Sequence, residues 1–195
     1  MTMLILVRHV EHVLQNQVLL GRTHEAPFTE NGRQQLIGLA ESLRHEHLTA
    51  VHSSPRGRAV ETAEAIAVAH GLIVEIREEL DELNYGEWSG RRIEELARDP
   101  QWRRWNKRRS AWRPPGGESM REVQTRMLCY SAGIRGSESI VAVTHAEPIR
   151  ALLLHVASIP IDEFMRIDVS PGGVTRLKLL SDAGRPEFQL EAVPA

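Results

Sequence analysis

Short apolar runs alternate with amphipathic segments along the chain. The runs that have the length of buried strands cover residues 4–7, 50–52, 73–76 and 140–144. Between them, segments such as residues 30–45 repeat apolar side chains at helical spacing, as at Leu36, Leu39 and Leu43. This alternation predicts βαβ units around a mainly parallel central sheet, in a three-layer α/β/α sandwich.

Capping signals predict the limits of the first two helices. Thr29 is suited to cap the helix over residues 30–45. Ser54 is a capping side chain directly before Pro55, which suits the first position of a helix. That second helix is expected to end near residue 70, because Gly71 provides a C-terminal stop.

The C-terminal third predicts further helices and strands. Ser119 and Glu122 have the spacing of a capping box, so a helix should extend from there to about residue 132. Pro148 suits the first turn of a helix that ends near residue 156. The remaining apolar runs predict strands at residues 166–169, 174–180 and 188–193, with a Pro-Gly-Gly turn at residues 171–173.

Residues 91–117 interrupt this regular alternation. We predict that they form an insertion over the carboxyl edge of the sheet, within one domain of residues 1–195. The segment combines tryptophans with arginine pairs four residues apart, namely Trp102, Trp105 and Trp112 with Arg104/Arg108 and Arg109/Arg113. Three interpretations stay open: a cap helix with its tryptophans packed inward, a lid that presents arginines to substrate, and a nucleic-acid patch.

Charged or titratable side chains suited to phosphate chemistry follow these apolar runs. The residues concerned are Arg8, His9, Arg58, Glu82 and His145. Ligands of open α/β sheets bind beyond the carboxyl ends of the strands, so the five residues are expected to meet in one pocket. Two arginines, two histidines and a carboxylate predict a reaction centre for a phosphoryl group.

Each member of the set has a chemical reason to take part. A neutral imidazole can attack phosphorus without first losing a proton, and Arg8 and Arg58 offer charged forks that match phosphate geometry. Arg58 also falls in the first turn of its predicted helix, where free N–H groups favour an anion. His145, when protonated, adds a donor. Glu82 supplies a proton to the leaving oxygen if its surroundings raise its pKa.

The same segments resemble those of the histidine phosphatase superfamily, which has the phosphoglycerate-mutase-like fold. LVRHVE at residues 6–11 is similar to the family signature, and residues 53–63 resemble the second motif. Residues 80–90 and 143–150 resemble the segments of the proton donor and of the second histidine. The resemblance spans most of residues 3–156 and fits the compact phosphatase branch.

The resemblance implies a metal-independent phosphatase with no organic cofactor, acting on a small phosphate ester. His9 would become a phosphohistidine that water later hydrolyses. Glu82, rather than Asp81 or Glu87, would be the general acid and then the base. The residues that would hold the phosphoryl group or substrate are Arg8, Arg58, His145, Gln15 and Ala146.

The sequence departs from the family pattern at three places. Val10 and Ala146 stand where the family commonly has glycine, and GRTHEAPFT at residues 21–29 is one residue longer than the commonest spacing, with His24 near a usual aspartate. Because a β-branched residue tolerates fewer backbone angles, either the backbone at Val10 is ordinary or the pocket is altered. The alternatives are a phosphoglycerate mutase, a phosphoester-binding protein without catalysis, and a metal site at His9, Glu11 and His12. The last spacing matches no zinc pattern.

Composition narrows the class of protein. A formal net charge of −2 gives no global field toward nucleic acid or membrane, so neither partner is predicted. No signal peptide or membrane span is expected, and the single cysteine excludes an internal disulfide. We therefore expect a cytoplasmic protein in which Cys129 is a buried apolar residue rather than a nucleophile. Its oligomeric state is left open.

Overall fold

One mixed sheet forms the centre of the computed structural model, which describes residues 2–23, 25–134, 138–182 and 185–190. Its six strands are β1 (Thr2–Arg8), β2 (Ala50–Ser53), β3 (Val74–Ile76), β4 (Ser139–Thr144), β5 (Val174–Asp182) and β6 (Arg185–Leu190). Their order is β3-β2-β4-β1-β5-β6. The pairs among β3, β2, β4 and β1 are parallel, whereas β5 and β6 pair in antiparallel fashion.

Helices cover both faces of this sheet. They are α1 (Glu30–Leu43), α2 (Gly57–His70), α3 (Ile93–Leu96), α4 (Pro100–Lys107), α5 (Met120–Gly133) and α6 (Ala146–Val156), with 3-10 turns at Glu78–Leu80, Gly86–Trp88 and Ile161–Arg166. Strand β1 alternates between the two layers. Leu4 and Leu6 pack with residues of α5 and α6, while Ile5 and Val7 pack with residues of α1 and α2. The predicted three-layer α/β/α fold is confirmed.

Most of the predicted limits agree with the structure. The Thr29 hydroxyl accepts a bond from the N–H of Gly32 at the start of α1, and Gly71 ends α2 with φ of 66°. Ser119 and Glu122 form the predicted capping box of α5. The last predicted strand is β6, although residues 191–193 lie outside the described residues. Within the described part, no helix is long and apolar enough to cross a membrane.

Two predicted elements are wrong. Helix α2 begins at Gly57 and not at Pro55, because the Ser54 hydroxyl contacts His145 instead of capping the helix. Residues 166–169 do not form a strand. The carbonyl groups of Ile167 and Val169 are instead occupied by the side chains of Arg150 and Arg8, so they need no neighbouring strand.

Cys129 is exposed, which corrects the prediction that it is buried. Helix α5 buries Val123, Met127 and Tyr130, whose spacing of four and three residues defines one face. Cys129 lies two positions after Met127, which places it on a different face of the helix. Apolar neighbours in sequence were therefore the wrong guide to its burial.

The tryptophans of residues 91–117 differ in burial. Trp105 is fully buried against Trp88, and the partly buried Trp102 packs on both rings. Trp112 is 45% exposed, contrary to the expected role as an anchor, and the Arg104 guanidinium lies 4.9 Å from its ring centroid. Because α4 ends at Lys107, helical spacing does not extend to Trp112.

Arg109 is buried, although the sequence predicted it either on a lid or in solvent. Its guanidinium lies 3.9 Å from the ring centroid of Trp105 and 3.5 Å from that of Phe164. It also forms a 2.8 Å ion pair with Glu147, which Arg150 contacts at 3.0 Å. Burial raises the pKa of Glu147, but attraction to Arg109 and Arg150 outweighs burial and lowers that pKa to about 2. Arg109 thus fastens the segment after α4 to α6.

Replacing Arg109 by methionine should destabilise the protein by about 3–5 kcal/mol at neutral pH, because it leaves a buried carboxylate short of a partner. A carboxylate with a depressed pKa contributes stability above its unfolded value of 4.5, and this is lost as pH falls toward about 2. The variant should therefore lose stability less steeply over that acid range. Urea unfolding at several pH values measures both effects.

The exposed Arg104 is the matched control, since its contact with Trp112 should contribute no more than about 1 kcal/mol. If Arg109→Met and Arg104→Met unfolded at the same urea concentration, the buried ion pair would have no structural importance.

Candidate active site

The carboxyl ends of β1 and β4 bring two histidines together. His9 follows β1 and His145 follows β4, and their ring centroids are 5.1 Å apart. These strands pair in parallel with Arg8 opposite Thr144, so the next residue of each chain segment leaves the sheet at the same edge. Both histidines are buried. This edge is where the sequence predicted the reaction centre.

His9 has the tautomer and charge state of a nucleophile. Its Nδ1 lies 2.9 Å from the carbonyl oxygen of Val10, so Nδ1–H donates and Nε2 keeps its lone pair. Burial, reinforced by the positive charges of Arg58 and Arg8, lowers the pKa of His9 well below its usual value. The imidazole is therefore neutral in the resting protein.

Arg58 links the two histidines in the first turn of α2. Its Nε donates to His9 Nε2 at 3.4 Å, and one Nη2 contact reaches His145 Nδ1 at 3.2 Å. The same Nη2 donates to the carbonyl of Gly21 at 2.8 Å. Arg8 extends from the end of β1 and is fixed by the carbonyl of Val169. The two guanidinium groups and His9 thus border a single space.

Glu82 is the carboxylate of the site. Burial, followed by the negative charge of Glu147, raises the pKa of Glu82 to about 7. A carboxyl group with this pKa is protonated in about half of the molecules at neutral pH, and a general acid requires such a proton. Asp81 instead pairs with Arg22 and Arg56, and Glu87 is exposed.

The carbonyl of Glu82 accepts a hydrogen bond from Arg22, and the loop that carries Glu82 packs against the turn before α5. Arg22 Nε donates to the Glu82 carbonyl at 2.6 Å. Gly86 has φ of 53°, and a Cβ there would clash with the carbonyl oxygen of Pro115. Only glycine allows this approach, so the Gly86 loop and the Pro-Pro-Gly-Gly turn fix each other.

A cavity of about 230 Å³ opens at this edge of the sheet. The predicted site residues that line it are Arg8, His9, Gln15, Arg58, Glu82 and Ala146. His145 lies behind them in contact with Arg58. Gln15 Oε1 is buried without a hydrogen-bond partner among the described residues. Ala146 is the first residue of α6, so its N–H belongs to a helix N-terminus that favours an anion.

Val10 does not distort the site. Its φ is not among the positive values found in the described residues, so the backbone there is one that a β-branched residue adopts. Its fully buried side chain packs with Ile5 and Val7 in the layer beneath α1 and α2. Of the two interpretations, the ordinary backbone is correct.

Sequence reasoning did not assign Glu147 and Arg150 to the cavity that they line, and it considered His12 only as a metal ligand. His12 stacks on His9 with ring centroids 5.5 Å apart, and burial followed by Arg58 and Arg8 lowers its pKa to about 4. Glu147 and Arg150 are three residues apart on α6, and this spacing could have indicated from the sequence that they lie on one face of the helix. Among the described residues, no group of histidine, cysteine or carboxylate side chains is arranged to hold a metal ion.

An α/β sheet with two histidines and two arginines at one edge is typical of proteins that bind or transfer phosphoryl groups. Comparison with known proteins identifies the family within this class. The model of the histidine phosphatase superfamily (branch 1) matches residues 4–190. The chain therefore belongs to the histidine phosphatase superfamily. The predicted family is confirmed, and membership supports phosphoester hydrolysis by an enzyme of this type.

Two similar proteins carry the names of enzymes that act on phosphate esters. The chain is 33% identical over 173 residues to phosphoserine phosphatase 1 of Hydrogenobacter thermophilus, covering 84% of this chain and 80% of that protein. It is 32% identical over 162 residues to a protein of Salmonella choleraesuis named probable phosphoglycerate mutase GpmB, covering 80% and 74%. The solved structure of Bacillus stearothermophilus YhfR matches with a TM-score of 0.88 at 26% identity, over 100% of this chain and 98% of that one.

Proposed function

We propose that this protein hydrolyses small phosphomonoesters through a phosphohistidine at His9. The observation that carries the proposal is the neutral His9, with Nε2 free of a proton, beside Arg58 and within one cavity with Glu82. A nucleophile, cationic donors and a protonated carboxyl are the three requirements of phosphoryl transfer to an enzyme side chain.

In the first step the lone pair of His9 Nε2 attacks phosphorus, and the bond from phosphorus to the alcohol oxygen breaks. Glu82 gives its proton to that oxygen. In the second step the Glu82 carboxylate takes a proton from water, whose oxygen attacks phosphorus as the bond to Nε2 breaks. Inorganic phosphate leaves, and both residues return to their starting states.

Charge on the phosphoryl group is held from several sides throughout both steps. Arg8 and Arg58 contribute permanent positive charges, and His145 contributes a further contact beside Arg58. Gln15 and the Ala146 N–H, both at the cavity wall, provide additional polar contacts for substrate. No step requires a metal or an organic cofactor.

The size and charge of the cavity favour a small, anionic substrate. A volume of about 230 Å³ lies below the roughly 300–1,000 Å³ of pockets for drug-sized ligands. Phosphoserine is the first substrate to test, because a relative that shares 33% of its residues over 84% of this chain is named a phosphoserine phosphatase. We place this reaction in the cytoplasm, as the single cysteine suggests.

Residues 91–117 serve in this proposal as a cap on the single domain. Ile93 of this segment lines the cavity, whereas Arg103, Arg104 and Arg108 are exposed and are not among the residues that line it. The packing of Trp105 supports the cap-helix interpretation over a lid of arginines.

A mutase is the second candidate, since one relative bears that name. It would use the same phosphohistidine but return the phosphoryl group to a second hydroxyl instead of to water. A protein that only binds phosphate esters has less support, because its motivating feature, Val10, leaves the backbone ordinary.

A panel of phosphomonoesters, assayed with excess chelator and without added metal, tests the proposed function. Inorganic phosphate should be released from phosphoserine and other small esters. Incubation with phosphoglycerate and a bisphosphoglycerate primer separates the candidates, since a mutase would interconvert the isomers faster than it released phosphate. Loss of all activity in chelator would overturn the metal-independent mechanism.

A further inference from the structure

A buried chain of polar groups lies behind His145, on the side away from the cavity. His145 Nε2 is 2.7 Å from the Ser54 hydroxyl, which contacts Asp81 Oδ1 at 3.5 Å. All three residues are buried, with at most 2% of any of them exposed. Buried polar groups pair donors with acceptors, so the direction of each hydrogen bond in this chain can be deduced.

The donors around His145 define its tautomer. Arg58 has no acceptor atom, so its Nη2 must donate to His145 Nδ1, which therefore carries a lone pair. A neutral imidazole has one N–H, and this leaves the proton on Nε2, directed at Ser54. Burial, followed by the charges of Arg58 and His9, lowers the pKa of His145 well below its usual value and keeps the ring neutral.

Ser54 is held as an acceptor toward His145. Its oxygen also lies 3.3 Å from the N–H of Arg56, which can only donate. The Ser54 hydroxyl proton is then left for Asp81 Oδ1, because the Asp81 carboxylate, which forms ion pairs with Arg56 at 3.0 Å and Arg22 at 3.3 Å, can only accept. The direction of donation runs from His145 through Ser54 to Asp81.

We propose that Ser54 and Asp81 are positioning residues that hold His145 with its Nδ1 toward the phosphoryl group. This rests on the proposed function. When a phosphate dianion enters, Arg58 donates to its oxygens, and a lone pair on Nδ1 would face negative charge. His145 takes a proton from solvent at Nδ1 and donates it as a hydrogen bond to a phosphoryl oxygen. Nε2–H still donates to Ser54, and the Asp81 carboxylate stabilises the new imidazolium through the serine.

This role differs from that of the neighbouring Glu82 in a measurable way. A proton donor matters most when the leaving oxygen is basic, whereas a group that holds the phosphoryl oxygens matters for every leaving group. Replacing Ser54 by alanine should therefore lower kcat/KM equally for phosphoserine and for p-nitrophenyl phosphate. The loss should be about 10- to 100-fold, the range for outer partners that orient a metal-bound histidine.

Ser53 supplies the matched control. It is equally buried, and its hydroxyl donates to the carbonyl of Ser54 at 2.8 Å rather than to His145. Ser53→Ala should retain kcat/KM, and Asp81→Asn, which keeps the shape but loses the charge, should follow Ser54→Ala on both substrates. Melting temperatures of all variants identify any that fail to fold. Equal kcat/KM in Ser54→Ala and Ser53→Ala would overturn the proposal.

Nitrogen-15 NMR of histidine-labelled protein gives a readout independent of turnover. His145, assigned with a His145→Gln sample, should be the Nε2–H tautomer in free protein and should acquire a proton at Nδ1 when inorganic phosphate is added. Ser54→Ala should weaken that proton uptake. An Nδ1–H tautomer in the free protein would overturn the relay. If no phosphomonoester were hydrolysed, the proposed function would fail while this spectrum still decided the relay.

Discussion

Replacing His9 by alanine should abolish the phosphoenzyme and lower kcat/KM for phosphomonoesters by about 10⁵-fold or more, the scale of losing a covalent nucleophile. His9 Nε2 presents its lone pair within the cavity, 3.4 Å from Arg58 Nε, and His12 stacks on the His9 ring with centroids 5.5 Å apart. Rapid quench with phosphorus-32 substrate should trap an acid-labile, base-stable adduct on the unmodified protein and none on the variant.

His52 provides the control for loss of a buried histidine. It lies on β2, where its Nδ1 contacts the Tyr130 hydroxyl at 2.7 Å, and it does not line the cavity. His52→Ala should still form the adduct. If His9→Ala kept substantial turnover, or if the adduct formed on another residue, the assignment of His9 would be wrong.

The position of the reaction centre could be predicted because it depends on short-range signals. His145 directly follows an apolar run and His9 follows one after Arg8, and both runs form adjacent parallel strands. The carboxyl ends of such strands share one edge, so sequence order alone brought the two rings together. Glu82 was different: it follows a 3-10 turn rather than a strand, and the family resemblance was needed to select it over Asp81 and Glu87.

Contacts between distant segments could not be read from the same signals. Ser54 has the local features of a helix cap, yet its hydroxyl bonds to His145, 91 residues away, and the helix begins later. Arg109 appeared as one of several surface cations, but two aromatic rings and Glu147 hold it inside. In both cases a contact with a residue distant in sequence outweighed the local preference. No spacing in the sequence indicates such a contact.

The pKa of Glu82 depends on three-dimensional packing in the same way. Burial raises it, Glu147 raises it further, and the N–H of Leu83 together with Arg58 opposes the shift. From the sequence we could infer that a general acid at Glu82 needs a raised pKa, but not that the fold raises it. The value of about 7 gives the pH at which the site should change its behaviour.

Glu82→Gln should lower kcat/KM for phosphoserine by about 10²- to 10⁴-fold, the usual contribution of a general acid. It should slow p-nitrophenyl phosphate much less, because nitrophenolate leaves without a proton. The proton-bearing form is lost as pH rises through about 7, so phosphoserine turnover by the unmodified protein should fall above that pH. The variant should lose this descending limb.

The measurement is kcat/KM for both substrates between pH 5 and 9, a range of about two pH units on either side of the expected midpoint. Glu87→Gln, which changes an exposed carboxylate in the same loop, is the control and should match the unmodified protein. Titration of the substrate itself affects every variant alike, so the comparison isolates Glu82. Equal slowing of both substrates would mean that Glu82 positions the site without donating the proton, since only proton donation makes the loss depend on the leaving group.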